Sequence, residues 1–420
     1  MSRTAASVYG PARTLFPRLA VSAIVQPLRQ VSPIRTEVRM TMNGPGERHS
    51  FEVTGMDVRE LSRALPKVDV HCHLTGSIPR DTAVELARRN KVSIGRSAIE
   101  AAYDLRQHSG ETREQAFFDA LELLGALVRT PRDLSDAVYG LVAHDVRASN
   151  LRYLELFVNP TALAHTGMSF TQIQDGLIDG ARAAEEDFGV RTGFIACVMR
   201  DEPVSYAEEM LDQLIEHRRE EFIGIGLDGP EFLDDHRPIH FADVYRRARR
   251  HGFKRTAHYV RYGAAEYSVY TDLLDCDRID HGYPVIEDEP VLRRAAESGV
   301  PFTVCPTITQ LVAGDVLPEY SRPETHPIGT MLRGGVWIVP GTDDKSMVHT
   351  DIGTEYGIIA DWYGLSAEDV VQASLDGISA TWLDKSDKAS LRRDFENEIN
   401  RLTSRATEVA PAVAAQQNPS

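Results

Sequence analysis

The stretch Lys67-Val68-Asp69-Val70-His71-Cys72-His73, running into Leu74-Thr75-Gly76-Ser77, decides the fold. Side chains alternate across a strand, so His71 and His73 share one face while Val68, Val70 and Cys72 share the other. The apolar face suits packing against outer helices, which turns the polar face inward at the C-terminal end of the strand. Seven further β-rich runs follow, at 151–158, 191–199, 222–227, 253–258, 278–281, 300–305 and 335–340. Helical patterns occupy 80–90, 113–129, 133–149, 170–188, 205–220, 242–251, 264–274 and 288–298, and proline or glycine often marks the joins.

Strand-then-helix alternation predicts parallel βαβ units, and eight such strands predict a (β/α)8 TIM barrel. Extra helices are expected between strands 1 and 2 and after strand 8. An open doubly wound sheet is the alternative. The barrel is expected over 51–408 and a flexible tail over 409–420. Residues 1–39 carry six arginines and a single acid, Glu37. Residues 1–50 therefore read either as an over-extended start, with Met40 or Met42 as a later initiator, or as a disordered, transit-type leader.

Composition narrows the functional classes. The 420 residues include 62 acidic and 46 Lys or Arg side chains, a net charge of −16, which disfavours nucleic acid as a partner. Cys72, Cys197, Cys276 and Cys305 form no CxxC pair, so neither a disulfide scaffold nor a thiolate metal site is expected, and a reducing cytoplasm fits. No apolar run is long enough for a membrane span. The basic run Arg246-Arg247-Ala248-Arg249-Arg250 reads as the solvated face of an amphipathic helix.

Chemistry collects at the strand ends. With 14 histidines in the chain, about half an HxH arises by chance, so spacing alone says little. Position says more. His71 and His73 close the first strand, His258 the fifth and His281 the sixth, and Gly341-Thr342-Asp343-Asp344 follows the eighth. TIM-barrel sites lie at this end of the strands. Three histidines and a carboxylate there form a nitrogen and oxygen donor set suited to a divalent ion, zinc first. His281 is placed to orient or deprotonate a water.

The segment 71–79, His-Cys-His-Leu-Thr-Gly-Ser-Ile-Pro, resembles the first metal motif of the adenosine/adenine deaminase family. Tyr153-Leu154-Glu155-Leu156-Phe157-Val158-Asn159-Pro160 is similar to its second-strand motif. Gly226-Leu227-Asp228, Arg278-Ile279-Asp280-His281-Gly282 and Val304-Cys305-Pro306 resemble the adenine branch, and Thr342-Asp343-Asp344 the final motif of both branches. The resemblance implies one zinc ion per chain, held by His71, His73, His258 and Asp343. It implies that His281 activates the attacking water, that Asp344 hydrogen-bonds the edge of a small-molecule aminopurine, that Gly229 contributes to substrate binding, and that ammonia is released.

The family's fifth-strand motif reads His-Ala-Gly-Glu, and its glutamate protonates the ring nitrogen. Here the segment is His258-Tyr259-Val260-Arg261, which puts Arg261 in the general-acid position. A guanidinium donates hydrogen bonds but does not give up its proton. Arg261 is therefore expected to clamp an anionic substrate, to fold outward as a solvated arginine, or to mark a decayed site; Glu155, inward-facing by the alternation of its strand, is a third candidate for the missing acid, with a buried structural carboxylate its favoured role. Tyr259 and Val260 in place of Ala-Gly suggest a reshaped pocket. Thr307-Ile308-Thr309 replaces the usual Leu-Ser-Asn, and Lys345 a proline. Alternatives to an aminopurine deaminase are a diverged barrel hydrolase or lyase acting on an anion held by Arg261, and an inactive purine-binding homologue.

Overall fold

The computed structural model describes residues 42, 44, 45, 56–231 and 237–416. The leader expected over 1–50 lies almost wholly outside these residues. Met42 does not: it is buried, and its carbonyl accepts a hydrogen bond from Ile338 N at 3.2 Å.

Nine parallel strands are described: β1 Lys67–His73, β2 Leu151–Val158, β3 Arg191–Met199, β4 Phe222–Asp228, β5 Lys254–Arg255, β6 His258–Tyr259, β7 Ile279–His281, β8 Phe302–Val304 and β9 Ile338–Pro340. They pair in chain order as two ladders, β1 to β5 and β6 to β9. Short contacts join the ladders into a ring. Thr256 N donates to Ile225 O at 3.0 Å and Asp280 N to Ala257 O at 3.0 Å, so β5 and β6 are the two halves of the fifth barrel strand. On the other side, His73 N donates to Asp343 O at 3.0 Å and Thr342 N to His71 O at 2.9 Å. The eight-stranded barrel read from the sequence is the fold.

The expected insertions are present. Helices from Leu74–Ser77 to Pro131–Ser149 lie between β1 and β2, and Ile352–Tyr363, Ala367–Ala380 and Lys385–Gln416 follow β9. The last of these runs through residues 409–416, the first part of the expected tail. Helix ends follow local chemistry. Ser169 and Gln172 form a capping box at the start of Phe170–Phe188, and Gly189 ends that helix in the left-handed region. The helix expected over 264–274 is instead a 3-10 turn, Ala264–Glu266, and a π-turn, Val269–Leu273. Stacking of Tyr270 on Tyr259, with ring centroids 4.4 Å apart, accompanies the wider turn.

The interior is layered. Below the polar layer, Phe157, Ile195 and Cys197 fill the barrel. At its base, Arg278 Nη1 meets Glu155 Oε2 at 2.6 Å, and both side chains are fully buried. Trp382, arriving from the C-terminal helices, closes the base. Its N–H donates to Glu155 Oε1 at 2.5 Å, and its ring lies 4.2 Å from the Arg278 guanidinium. A Cβ at Gly224 would fall 2.4 Å from the Trp382 ring, so the plug requires glycine there.

Candidate metal centre

The polar layer gathers at the C-terminal strand ends. One ligand atom from each of His71, His258, His281 and Asp343 lies within 4.8 Å of every other. His71 Nε2 is 3.8 Å and His281 Nε2 3.5 Å from Asp343 Oδ2. His73 joins this group, its Nε2 3.2 Å from His258 Nε2 and 3.8 Å from Asp343 Oδ1. The four residues that the resemblance names as ligands lie in one cluster, and the set within 4.8 Å holds His281 in place of His73. The side-chain alternation of β2 puts Phe157 beneath them, its ring 5.0 Å from that of His71 and 4.8 Å from that of His73.

Backbone strain shapes the same spot. His281 and Asp343 both have positive φ, 65° and 58°. Left-handed backbone in non-glycine residues costs about 1–3 kcal/mol each and collects at functional sites. At His281 it ends β7 and lets Asp280 and His281 both serve the cluster.

Burial sets the charges. It holds the His73 and His281 rings down to about 3 and drives those of His71 and His258 well below the ordinary range, with the neighbouring imidazoles adding to the effect at His71 and His258. Neutral imidazoles are what a divalent cation binds. Burial, with the charge of Asp344, raises the Asp343 carboxyl, and burial raises that of Asp344. The Nε2 of His71 is buried without a hydrogen-bond partner, an orphaned donor atom inside the cluster. The donor set fits a divalent ion.

A second layer orients the rings. His71 Nδ1 lies 2.7 Å from Thr303 Oγ1, which donates to Asp280 Oδ1 at 3.0 Å. Asp280 Oδ2 accepts from Thr256 Oγ1 at 2.7 Å and is 3.6 Å from His258 Nδ1. Asp228, pushed up to about 7 by burial, lies 3.7 Å from His73 Nδ1, and Asn159 donates to both its oxygens. Outer groups of this kind change metal affinity about 10- to 100-fold. Asp280→Asn is accordingly expected to weaken divalent-metal binding by about that factor with the fold intact, measured by competition with a chromophoric chelator.

Asp344 Oδ1 accepts from Gly76 N at 3.0 Å. A Cβ at residue 76 would lie 2.1 Å from that oxygen, so Gly76 and Asp344 are fitted to each other. Gly76→Ala forces the carboxylate aside and is expected to lower kcat/KM about tenfold or more, some 1.4 kcal/mol, with metal content unchanged. Gly229 follows β4 with φ 87°, and a Cβ there would meet Asp201 Oδ1 at 3.0 Å.

Arg261 is neither outward nor loose. Its backbone N–H and that of Val260 donate to Glu231 Oε2 at 2.7 and 3.0 Å. Its guanidinium pairs through Nη2 with Glu114 of the inserted helix Glu111–Leu127, and its side chain is 24% exposed. Tyr259 does not reshape the pocket. It is buried, stacks on Tyr270 and donates to Gly263 O at 2.9 Å. Glu155 takes the structural role and not that of the acid: it is a buried carboxylate at the barrel base. Its oxygens are engaged by Arg278, Trp382 N and Tyr153 OH, two residues below Phe157 on β2. Sequence reasoning missed Glu114 and Glu231, whose partners are distant in the chain. It also missed Asp280, although that residue adjoins His281 in a motif already singled out.

Among the described residues no helix is long and apolar enough to cross a membrane. The adenosine deaminase family profile matches residues 66–398. An adenine deaminase of Streptomyces coelicolor is 30% identical over 340 residues, covering 80% of this chain and 96% of its own. An amidohydrolase from Burkholderia ambifaria, solved with bound zinc, is 31% identical with a TM-score of 0.75, covering 88% of this chain and all of its own. The adenine deaminase of Arthrobacter aurescens is 25% identical with a TM-score of 0.72, covering 81% of this chain and all of its own. Barrel, converging strand ends and these likenesses agree: the chain belongs to the adenosine deaminase family, hydrolases that break a carbon–nitrogen bond to release an amino group.

Proposed function

We propose that this protein is a zinc-dependent deaminase of 6-aminopurines of the adenine or adenosine type. The observation that carries the reading is the convergence of His71, His258, His281 and Asp343 within 4.8 Å, with His73 alongside. His71, His73, His258 and Asp343 hold one ion per chain. Such an ion supplies Lewis acidity that activates water at neutral pH. His281, kept neutral by burial, accepts a proton from the attacking water and returns it to the departing amine. Asp344, fixed by Gly76 N, hydrogen-bonds the edge of the heterocycle. Gly229, without a side chain, lets backbone approach the substrate closely. Arg261 stands where the family carries its acid, and donates hydrogen bonds without transferring a proton.

The Arg261–Glu114 pair favours this reading over an anion clamp. An anionic substrate would have to displace a carboxylate that already balances the guanidinium. The test is metal analysis beside an ammonia-release assay on adenine, adenosine, their phosphates and ring-substituted 6-aminopurines. About one zinc per chain and ammonia from at least one of these are expected. Zinc-loaded protein that releases none from the whole panel would refute the proposal.

A further inference from the structure

Lys345 stands directly after Asp343 and Asp344, where the family carries a proline. The proposed chemistry gives it no part. It is buried nonetheless, and so are the two carboxylates it faces. Its Nζ donates to Asp145 Oδ2 of the inserted helix Pro131–Ser149 and lies 3.8 Å from Asp69 Oδ2 of β1. Asp69 joins the same turn to its own strand. Its Oδ2 accepts from Thr342 Oγ1 at 2.5 Å, and its Oδ1 accepts from His71 N at 3.2 Å. One buried cation thus ties three elements together: the strand that carries His71 and His73, the turn that carries Asp343 and Asp344, and a helix of the insertion.

The turn needs holding. Asp343 has φ 58°, and left-handed backbone persists in a non-glycine residue only where its surroundings over-determine it. On the strand side, Asp343 N donates to His71 O at 2.8 Å, and Asp343 O accepts from His73 N at 3.0 Å and Ser77 Oγ at 3.1 Å. These bonds fix the front of the turn. Behind it the chain passes at once into the short helix Lys345–Val348, of which residue 345 is the first. Proline suits that position, because its ring fixes φ near the helical value. Lysine carries no such constraint. The geometry points to Lys345 as a positioning residue: its ion pair with Asp145 does by a side-chain tether what a proline ring does by backbone constraint, and so holds the Asp343 and Asp344 carboxylates at the strand-end cluster. This rests on the zinc-site reading above. It also accounts for a buried ion pair whose desolvation offsets much of its attraction, which makes it a poor device for stability alone.

The test compares two double variants that both remove the buried charges. Lys345→Met with Asp145→Leu leaves residue 345 unconstrained, whereas Lys345→Pro with Asp145→Leu fixes its φ. Zinc affinity is measured by competition with a chromophoric chelator, beside urea unfolding. Both variants should keep most of the wild-type urea midpoint, because apolar side chains replace a buried ion pair. The methionine variant should bind zinc at least about tenfold more weakly than wild type, and the proline variant within about threefold of it. Ammonia release from the aminopurine panel at saturating zinc should fall in the same order. Lys345→Arg and Asp145→Asn repeat the comparison with conservative changes, the first keeping the pair and the second removing its anion. Zinc affinity should stay within about threefold of wild type in the first and drop about tenfold in the second. Equal zinc affinity in the two double variants, whether at the wild-type level or below it, would overturn the inference and leave the metal site standing. If either double variant does not fold, equal affinity of Lys345→Arg and Asp145→Asn overturns it in the same way. Wild-type protein that takes up no zinc would overturn both readings.

Discussion

Replacing His71 with alanine is expected to abolish turnover, with kcat down by about four orders of magnitude or more, and to remove stoichiometric zinc. His71 sits at the centre of the cluster. Its ring is 5.4, 4.9 and 4.9 Å from those of His73, His258 and His281, and its Nε2 is the orphaned donor. Its Nδ1 is fixed by Thr303, so only one nitrogen is presented to an ion. Loss of this ligand removes one of the four protein donors proposed for the ion, the one at the centre of the set. Several kcal/mol of charge stabilisation disappear with the ion, which is where the factor comes from. Metal analysis and single-turnover ammonia release check it. A variant that kept one zinc per chain and more than about a tenth of the activity would place the site elsewhere.

The second large effect concerns stability. Glu155→Leu should destabilise the fold by about 3–5 kcal/mol, because it strands the Arg278 guanidinium in the barrel base with only Asp280 Oδ1, 4.0 Å from its Nε, as counter-charge. The pair is fully buried with Nη1 2.6 Å from Oε2. What remains for Arg278 is Asp280 Oδ1 at 4.0 Å, the Trp382 ring and a 3.5 Å contact to Ala380 O. The double variant Glu155→Leu, Arg278→Met should recover most of the loss, since a well-packed apolar pair replaces a buried ion pair at little cost. Urea unfolding of the single and double variants measures both. If Glu155→Leu instead retained wild-type stability and lost activity, Glu155 would be chemical after all.

These expectations draw on features of unequal visibility in the sequence. Strands β1 to β3 fall on the residues read from pattern alone, because each is long and alternates or runs apolar between clear breaks. The fifth strand was legible as one run but is interrupted at Thr256 and Ala257, whose contacts depend on Ile225 and Asp280 in neighbouring strands. The 264–274 segment has helical spacing, yet it folds as a 3-10 turn and a π-turn with Tyr267 and Tyr270 buried. Tertiary packing overrode local propensity there.

At the site, His71, His73, His258, His281 and Asp343 were readable because each lies at or just past the C-terminal end of a strand. The groups that orient them were not. Thr303 reads as an ordinary strand residue, and Asp280 as a neighbour of His281. The Arg261–Glu114 pair joins residues 147 apart, one on a strand end and the other on an inserted helix. No local pattern encodes such a contact. It follows from closing the barrel and laying the insertion over its mouth.

The most direct test of the metal centre is anomalous diffraction at the zinc edge on crystals of the zinc-loaded protein. The account predicts one peak per chain, about 2.0–2.2 Å from His71, His73 and His258 nitrogens and an Asp343 oxygen. A peak outside this cluster, or none within it, would contradict the account.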